Sequence, residues 1–216
     1  MGIEAKIVTD VTPPSNKHEK LFICLGGSSE SGKSSFSQRM LQVHNANRVK
    51  YLRATNEFGI SSGLVDTDPF SMLGDENEDQ RRINEIGTWR TIDSATEGKS
   101  RITVIESLKH PGLLKSFAQA ALNSCLYVVY IDADLSLRIA REASHRGQSI
   151  EETADQIRRK DMEKTIHGSE GVKQLADVVL YNNGDQEEYY AWIDNFAITV
   201  ARMYPNDDDV VAVEYL

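Results

Sequence analysis

The apolar run Leu21-Phe-Ile-Cys-Leu25 passes directly into Gly26-Gly27-Ser-Ser-Glu-Ser-Gly32-Lys33-Ser34-Ser35, and a helical stretch containing Phe36, Met40 and Leu41 follows. A strand that turns through glycines into a helix aims several backbone N–H groups at one point, where the helix N-terminus adds partial positive charge. Such a point holds phosphate. With the spacing Gly27-x-x-x-x-Gly32-Lys33-Ser34, Lys33 is expected to reach the β- and γ-oxygens of a nucleoside triphosphate, ATP or GTP. The Ser34 hydroxyl is expected to bind Mg²⁺, and Ser35 belongs to the same loop. Ser28, Ser29 and Ser31 are small enough to keep the turn tight, with direct phosphate contact and no contact both open for their hydroxyls. Glu30 adds negative charge beside the phosphates and is expected to point to solvent.

Five short β-rich runs set the framework: Leu21–Leu25, Val49–Leu52, Ile102–Glu106, Leu126–Ile131 and Val178–Tyr181. They are mostly apolar without alternation, as parallel strands buried on both faces are. Helical patterns separate them. Leu114, Phe117, Ala118, Ala121 and Leu122 make one apolar stripe, and Tyr189, Trp192, Ile193, Phe196, Ala197, Val200 and Met203 make another. Ser149-Ile-Glu-Glu152 has capping-box spacing before a helix to about Lys164, and Asp185 can cap the last helix in the same way. Alternation of strand and helix predicts an α/β fold, a five-stranded parallel sheet flanked by helices with a small helical lid, the P-loop NTPase fold.

Residues 1–19, with Pro13-Pro14-Ser15-Asn16, read as a flexible arm or a strand-like extension, and 20–204 as the domain, its lid at about 146–171. The tail 205–216 is acidic and then apolar. Packing on its own domain, an added edge strand, and contact with another chain, a second copy making a homodimer included, all suit it.

The net charge of −9 repels a phosphate backbone, so duplex nucleic acid is a poor partner. No apolar run spans a membrane and no secretory leader is readable, which predicts a cytoplasmic location. Cys24 and Cys125 show no metal or disulfide spacing and are expected to pack as reduced thiols.

Glu106 closes the third strand-like run, where it can hold a Mg²⁺-bound water or orient an acceptor; a structural cap is the competing role. Asp66 and Asp68 are candidates for acceptor contact, against plain turn chemistry before Pro69. Arg82 and Arg90, with Arg81, lie on a helix whose buried side is read as Ile83, Ile86 and Trp89. Their side chains can grip an acceptor phosphate or serve as ordinary surface charge.

Over about residues 20–200 the chain resembles the P-loop kinases of the adenylate kinase and dephospho-coenzyme A kinase group. Beyond the loop, Val104-Ile-Glu-Ser-Leu-Lys-His-Pro-Gly112 looks like that group's strand-three signature, with Glu106 for the usual Asp and Lys109 for the usual Arg. Tyr130-Ile-Asp-Ala-Asp134, Arg138, Arg141, the stretch Ile150 to Lys164, and Ala176-Asp-Val-Val-Leu-Tyr-Asn-Asn-Gly184 look like its fourth strand, lid and fifth strand. The resemblance implies that Asn183 and Gly184 lie by the adenine ring. It also implies that lid arginines, from among Arg141, Arg146, Arg158 and Arg159, act on the transferred phosphoryl group.

These readings predict a small-molecule kinase that moves the γ-phosphoryl group of ATP to a small phosphorylated acceptor, such as a nucleoside monophosphate or dephospho-coenzyme A. A nucleotide-dependent switch or assembly factor with little transfer is the alternative, supported by the Glu106 and Lys109 departures.

Overall fold

The computed structural model describes residues 2–7, 20–62, 77–108, 110–121 and 124–203. The elements in chain order are β1 (Ile3–Ile7), β2 (Lys20–Gly27), α1 (Lys33–His44), β3 (Asn47–Lys50), α2 (Tyr51–Ser61) and α3 (Glu78–Ala95). They continue as β4 (Ile102–Glu106), α4 (Pro111–Ala120), β5 (Ser124–Asp132), α5 (Leu135–Arg146), α6 (Ile150–Ile166), α7 (Ser169–Gln174), β6 (Val178–Asn182) and α8 (Gln186–Met203).

The strands form one sheet in the order β1-β6-β5-β2-β4-β3. β2 runs parallel to both β4 and β5, β3 to β4, and β6 to β5. The expected five parallel strands are present, but the sheet has six because β1 pairs antiparallel with β6. That strand comes from the N-terminal stretch, where Ile3–Ile7 takes the strand-like of the two expected forms. The expected run Val49–Leu52 is β3, which starts earlier, at Asn47, and ends at Lys50, so that Leu52 belongs to α2.

Alternate residues of β2 feed two cores. Leu21, Ile23 and Leu25 face Phe36 and Met40 of α1 and Ile193, Phe196 and Val200 of α8. Phe22 and Cys24 face Trp89, Ile92, Leu113 and Phe117 on the other side of the sheet. There Trp89 sits edge-on to Phe22 with ring centroids 4.5 Å apart and touches Phe117 at 5.0 Å. Burying side chains of this size stabilises the fold by about 1.5–3 kcal/mol each. Cys24 is fully buried, and burial pushes its thiol up to about 12, so it is an inert core residue.

The expected caps form. Glu152 N–H donates to Ser149 Oγ at 3.2 Å. Asp185 and Glu188 cap each other, Glu188 N–H to Asp185 Oδ1 at 2.9 Å and Asp185 N–H to Glu188 Oε2 at 3.1 Å. On α3 the buried side differs from the expectation: Ile83 is 56% exposed, while Asn84, Glu85, Thr88, Trp89 and Ile92 face inward. The polar members have partners there, since Ser116 Oγ bonds Glu85 and Gln80 Nε2 donates to Asn84 Oδ1. Polar packing of this kind has no hydrophobic period to betray it. Among the described residues no helix is long and apolar enough to cross a membrane.

Candidate functional site

β2 is the central strand, so the loop that leaves its C-terminal end emerges between β4 and β5. Close approach there requires glycine. A Cβ on Gly27, whose φ is +137°, would stand 2.0 Å from Ile131 O. Gly32 at φ +107° would place one 2.6 Å from Asn182 Nδ2. The turn is braced from below by side chains: Asn182 Nδ2 donates to Ser31 O at 2.9 Å and Tyr189 Oη to Gly32 O at 3.0 Å. Ser28 Oγ donates to Asp132 Oδ1 at 2.5 Å, and Lys173 Nζ holds the other oxygen of Asp132 at 3.0 Å. The hydroxyls of Ser28 and Ser31, the latter bonded to Ser28 O at 3.0 Å, thus tie the loop to itself and to β5.

Lys33 folds back over the loop. Its Nζ donates to Gly27 O at 3.1 Å and also to Ser28 O. Burial lowers its pKa well below the ordinary lysine value, and the neighbouring Lys164 ammonium lowers it further. Ser34 and Ser35 are exposed at the start of α1.

A cavity of about 840 Å³ opens on the loop. The loop residues Ser29 to Ser35 line one part of it; Asn182, Gly184, Asp185 and Gln186 of the β6–α8 turn line another, with Arg141 and His145 of α5 beside them. Lys160, Glu163 and Lys164 of α6 complete the wall. The loop, the turn after β6 and the helix expected to act as a lid therefore meet around one space.

The expected residues take different places around it. Arg141 lines the cavity, and its guanidinium donates to Asn182 O at 2.9 Å and Gly184 O at 2.5 Å, holding the turn rather than the loop. Asn183 Oδ1 accepts from Asp134 N–H at 2.9 Å. Arg146 is bound to Glu142 on its own helix, and Arg158 is exposed 3.5 Å from Asp155. Arg159 is exposed, and none of these three lines the cavity. Glu106 is 2% exposed, and one of its carboxylate oxygens, Oε1, accepts from both Arg48 Nε and the Ser37 hydroxyl. Arg82 donates to Gln119 at 2.8 Å and Arg90 is exposed. Asp66, Asp68 and Lys109 lie outside the described residues.

Glu30 corrects the expectation of a solvent-facing side chain. At φ +56° its carboxylate turns to α6 and pairs with Lys160 at 2.8 Å. Burial alone would raise its pKa, but Lys160, Lys33 and Arg146 outweigh that and hold it low. α6 makes two further contacts: Asp161 Oδ1 accepts Ser29 N–H at 2.8 Å and Lys164 Nζ donates to Gly27 O at 3.2 Å. The expected phosphate ligands of this helix were its arginines, and its lysines make these contacts instead. Lys160 and Lys164 stand four apart and share a face, a spacing that would have marked them.

The sequence matches no protein-family model and no curated protein. Among solved structures the fold is similar to an uncharacterized protein from Eubacterium ventriosum, with TM-score 0.55 and 12% identity over 82% of this chain and 98% of that one. It is also similar to TT1252 from Thermus thermophilus, with TM-score 0.51 and 14% identity over 88% of this chain and all of that one. A shikimate kinase from Acinetobacter baumannii, solved with shikimate, aligns at TM-score 0.47 and 12% identity over 85% and 93% of the two chains. Identities this low speak to the fold and to no chemistry. The strand order together with the glycine loop leaving the central strand into α1 defines the P-loop NTPase fold.

Proposed function

We propose that the protein is an ATP-dependent small-molecule kinase, a P-loop phosphotransferase whose acceptor itself carries a phosphate. The observation that carries this reading is the shared cavity: phosphate loop, β6–α8 turn and α6 line a single space of the size a nucleotide site takes. In this reading the triphosphate lies on the amides of Glu30 to Ser34 with Lys33 on the β- and γ-oxygens, and the base lies by Gly184. The exposed Ser34 hydroxyl is the protein group that would hold Mg²⁺, which supplies charge neutralisation on the phosphate oxygens when bound.

Transfer breaks the bond between the γ-phosphorus and the β–γ bridging oxygen as an acceptor oxygen bonds to that phosphorus, leaving ADP. The acceptor's proton passes to solvent, and Asp66 and Asp68 are the candidates for acceptor contact, with Arg82 and Arg90 as acceptor-side cations. The protein's work in such a step is positioning and electrostatics, with α6 serving as the lid that excludes water.

A second reading, a nucleotide-dependent switch with little transfer, is favoured by the engagement of Glu106 with Arg48 and Ser37 away from the cavity lining. Incubating purified protein with ATP, Mg²⁺ and a panel of nucleoside monophosphates, dephospho-coenzyme A and other phosphorylated metabolites separates the two. A phosphorylated product supports the kinase. Tight nucleotide binding without acceptor-stimulated turnover across the panel supports the switch, and no binding of ATP or GTP rejects both.

A further inference from the structure

Ser28 is the loop residue whose hydroxyl is tied to a carboxylate outside the loop. Its Oγ donates to Asp132 Oδ1 at 2.5 Å, and Ala133 N–H donates to the same oxygen at 3.0 Å. The other oxygen, Oδ2, accepts from Lys173 Nζ at 3.0 Å, so both oxygens of Asp132 are engaged. Lys173 reaches in from α7, where its neighbour Val172 is fully buried, and its ammonium stands 5.3 Å from the centroid of the Tyr130 ring and 5.7 Å from that of Tyr181. Most of both charged side chains is out of water. Burial would raise the Asp132 pKa, but the Ser28 hydroxyl and the Lys173 ammonium outweigh it and hold it below its ordinary value, which makes the Ser28 bond charge-assisted. At the other end, the Ser28 carbonyl is where the loop seats its lysine. Lys33 Nζ donates to it, to Gly27 O at 3.1 Å and to Ser31 Oγ at 3.4 Å, and Ser31 Oγ donates to Ser28 O at 3.0 Å. A continuous run of bonds thus leads from Lys173 through Asp132 and Ser28 to Lys33. Lys33 lines the cavity, while Lys173, Asp132 and Ser28 do not.

Resting on the kinase reading above, we propose that Asp132, oriented by Lys173, is a positioning residue of the nucleotide site: it fixes Ser28, and through the Ser28 carbonyl it sets where the Lys33 ammonium stands against the phosphates. An ammonium on a flexible stem serves a phosphate well only when its resting place is defined, and displacement by about 1 Å can cost on the order of 100-fold. The main chain holds one side of Ser28, its N–H donating to Ile131 O at 3.2 Å. The hydroxyl adds a second point of attachment and so removes the swing about the first. A purely structural Asp132 would pin α7 to β5 through Lys173, with no effect passing on to Ser28 or Lys33.

The test is a double-mutant cycle, read by calorimetric titration of the full chain with Mg²⁺ and the non-hydrolysable β,γ-imido analogue of ATP, in wild type, Asp132→Ala, Ser28→Ala and the double variant. Each single variant should weaken binding about tenfold. The double variant should bind no more weakly than Asp132→Ala, because with the Ser28 hydroxyl gone Asp132 has nothing left to fix. Asp132→Asn, which keeps an oxygen for the hydroxyl without the charge, should fall between wild type and Asp132→Ala. Wild-type affinity in either single variant, or losses that multiply in the double variant, overturns the assignment, while binding by the wild type leaves the nucleotide site standing. Should wild type bind neither the analogue nor its GTP counterpart, this proposal and the kinase reading fall together. Urea midpoints report that each variant is folded; if Asp132→Ala does not fold, Asp132→Asn takes its place in the same cycle.

Discussion

Arg138 and Asp161 clamp a single residue of the phosphate loop between them. Arg138 Nη1 donates to Asp161 Oδ2 at 2.6 Å and to Ser29 O at 2.9 Å, while Asp161 Oδ1 accepts Ser29 N–H at 2.8 Å. Arg138 Nε, bonded to Ala133 O at 2.9 Å, fixes the guanidinium to the end of β5. Burial pushes the Asp161 carboxyl up, but Arg138 and the Ser29 amide outweigh it and keep it below its ordinary range. The clamp joins the loop to α5 and α6, which share the small apolar cluster of Ile139, Ala154 and Ile157.

Removing the arginine should therefore be costly. Arg138→Ala leaves Asp161 facing a buried wall without its cation, an arrangement that destabilises by about 2–4 kcal/mol in a pair of this burial. Arg138→Lys should rescue little, because one ammonium cannot serve Ala133 O, Ser29 O and Asp161 together. Urea unfolding of both variants checks this, and a midpoint within error of wild type for Arg138→Ala would show that the clamp contributes nothing.

Lys33→Ala should leave the urea midpoint near wild type, since its ammonium rests on loop carbonyls and sits on the cavity wall, and should lower ATP affinity or abolish turnover. Ser34→Ala should act chiefly on the Mg²⁺ requirement. Titration of activity or binding with Mg²⁺ distinguishes them: an unshifted midpoint in Ser34→Ala means the hydroxyl is no ligand, and wild-type affinity and turnover in Lys33→Ala reject the loop assignment.

The arginines separate by what they touch. Arg141→Ala removes the two bonds that hold the carbonyls of Asn182 and Gly184, and should weaken nucleotide binding through the turn it shapes. Arg158→Ala and Arg159→Ala remove exposed charges and should change affinity and turnover by little, as solvated surface pairs contribute about 0–1 kcal/mol. Isothermal titration of the three variants with ATP and Mg²⁺ reads the contrast. An equal loss in all three would mean that α6 swings its outer face into the site.

The loop and the parallel strands were legible because their signals are local. A run such as Leu21 to Leu25 declares burial on both faces, and Gly27, Gly32, Lys33 and Ser34 declare a phosphate turn without help from the rest of the chain. Ser149 and Asp185 were legible as caps for the same reason. Arg138, Asp161, Lys160 and Lys164 were not, because a charged residue on a helix looks the same whether it faces water or a loop many residues away. Glu106 was legible in position but not in partner, since Arg48 comes to it across the sheet from β3. The polar inner face of α3 was misread because hydrophobic period is blind to Glu85 bonded to Ser116.

The packing of α8 on α1 adds a dependence on pH. Asp194 accepts from Arg39 Nε at 3.0 Å and Arg39 Nη2 at 2.6 Å, and His44 Nε2 lies 2.9 Å from Oδ1. The Arg39 bonds are the main cause, and with His44 they overcome partial burial, taking the carboxyl from the ordinary 3.8 down to about 2. A folded pKa below the unfolded one means stability that is fully present above about pH 4 and drains away as pH falls towards 2. The group is partly screened by solvent, so the contribution at neutral pH is about 0.5–1 kcal/mol. Asp194→Asn removes the charge at every pH. Its melting temperature should therefore fall below wild type at pH 7 and converge with it as both are titrated from pH 4 downwards. A gap of the same size at pH 7 and at the lowest pH where both still fold would mean that Asp194 stabilises through shape and neutral hydrogen bonds, not through its charge.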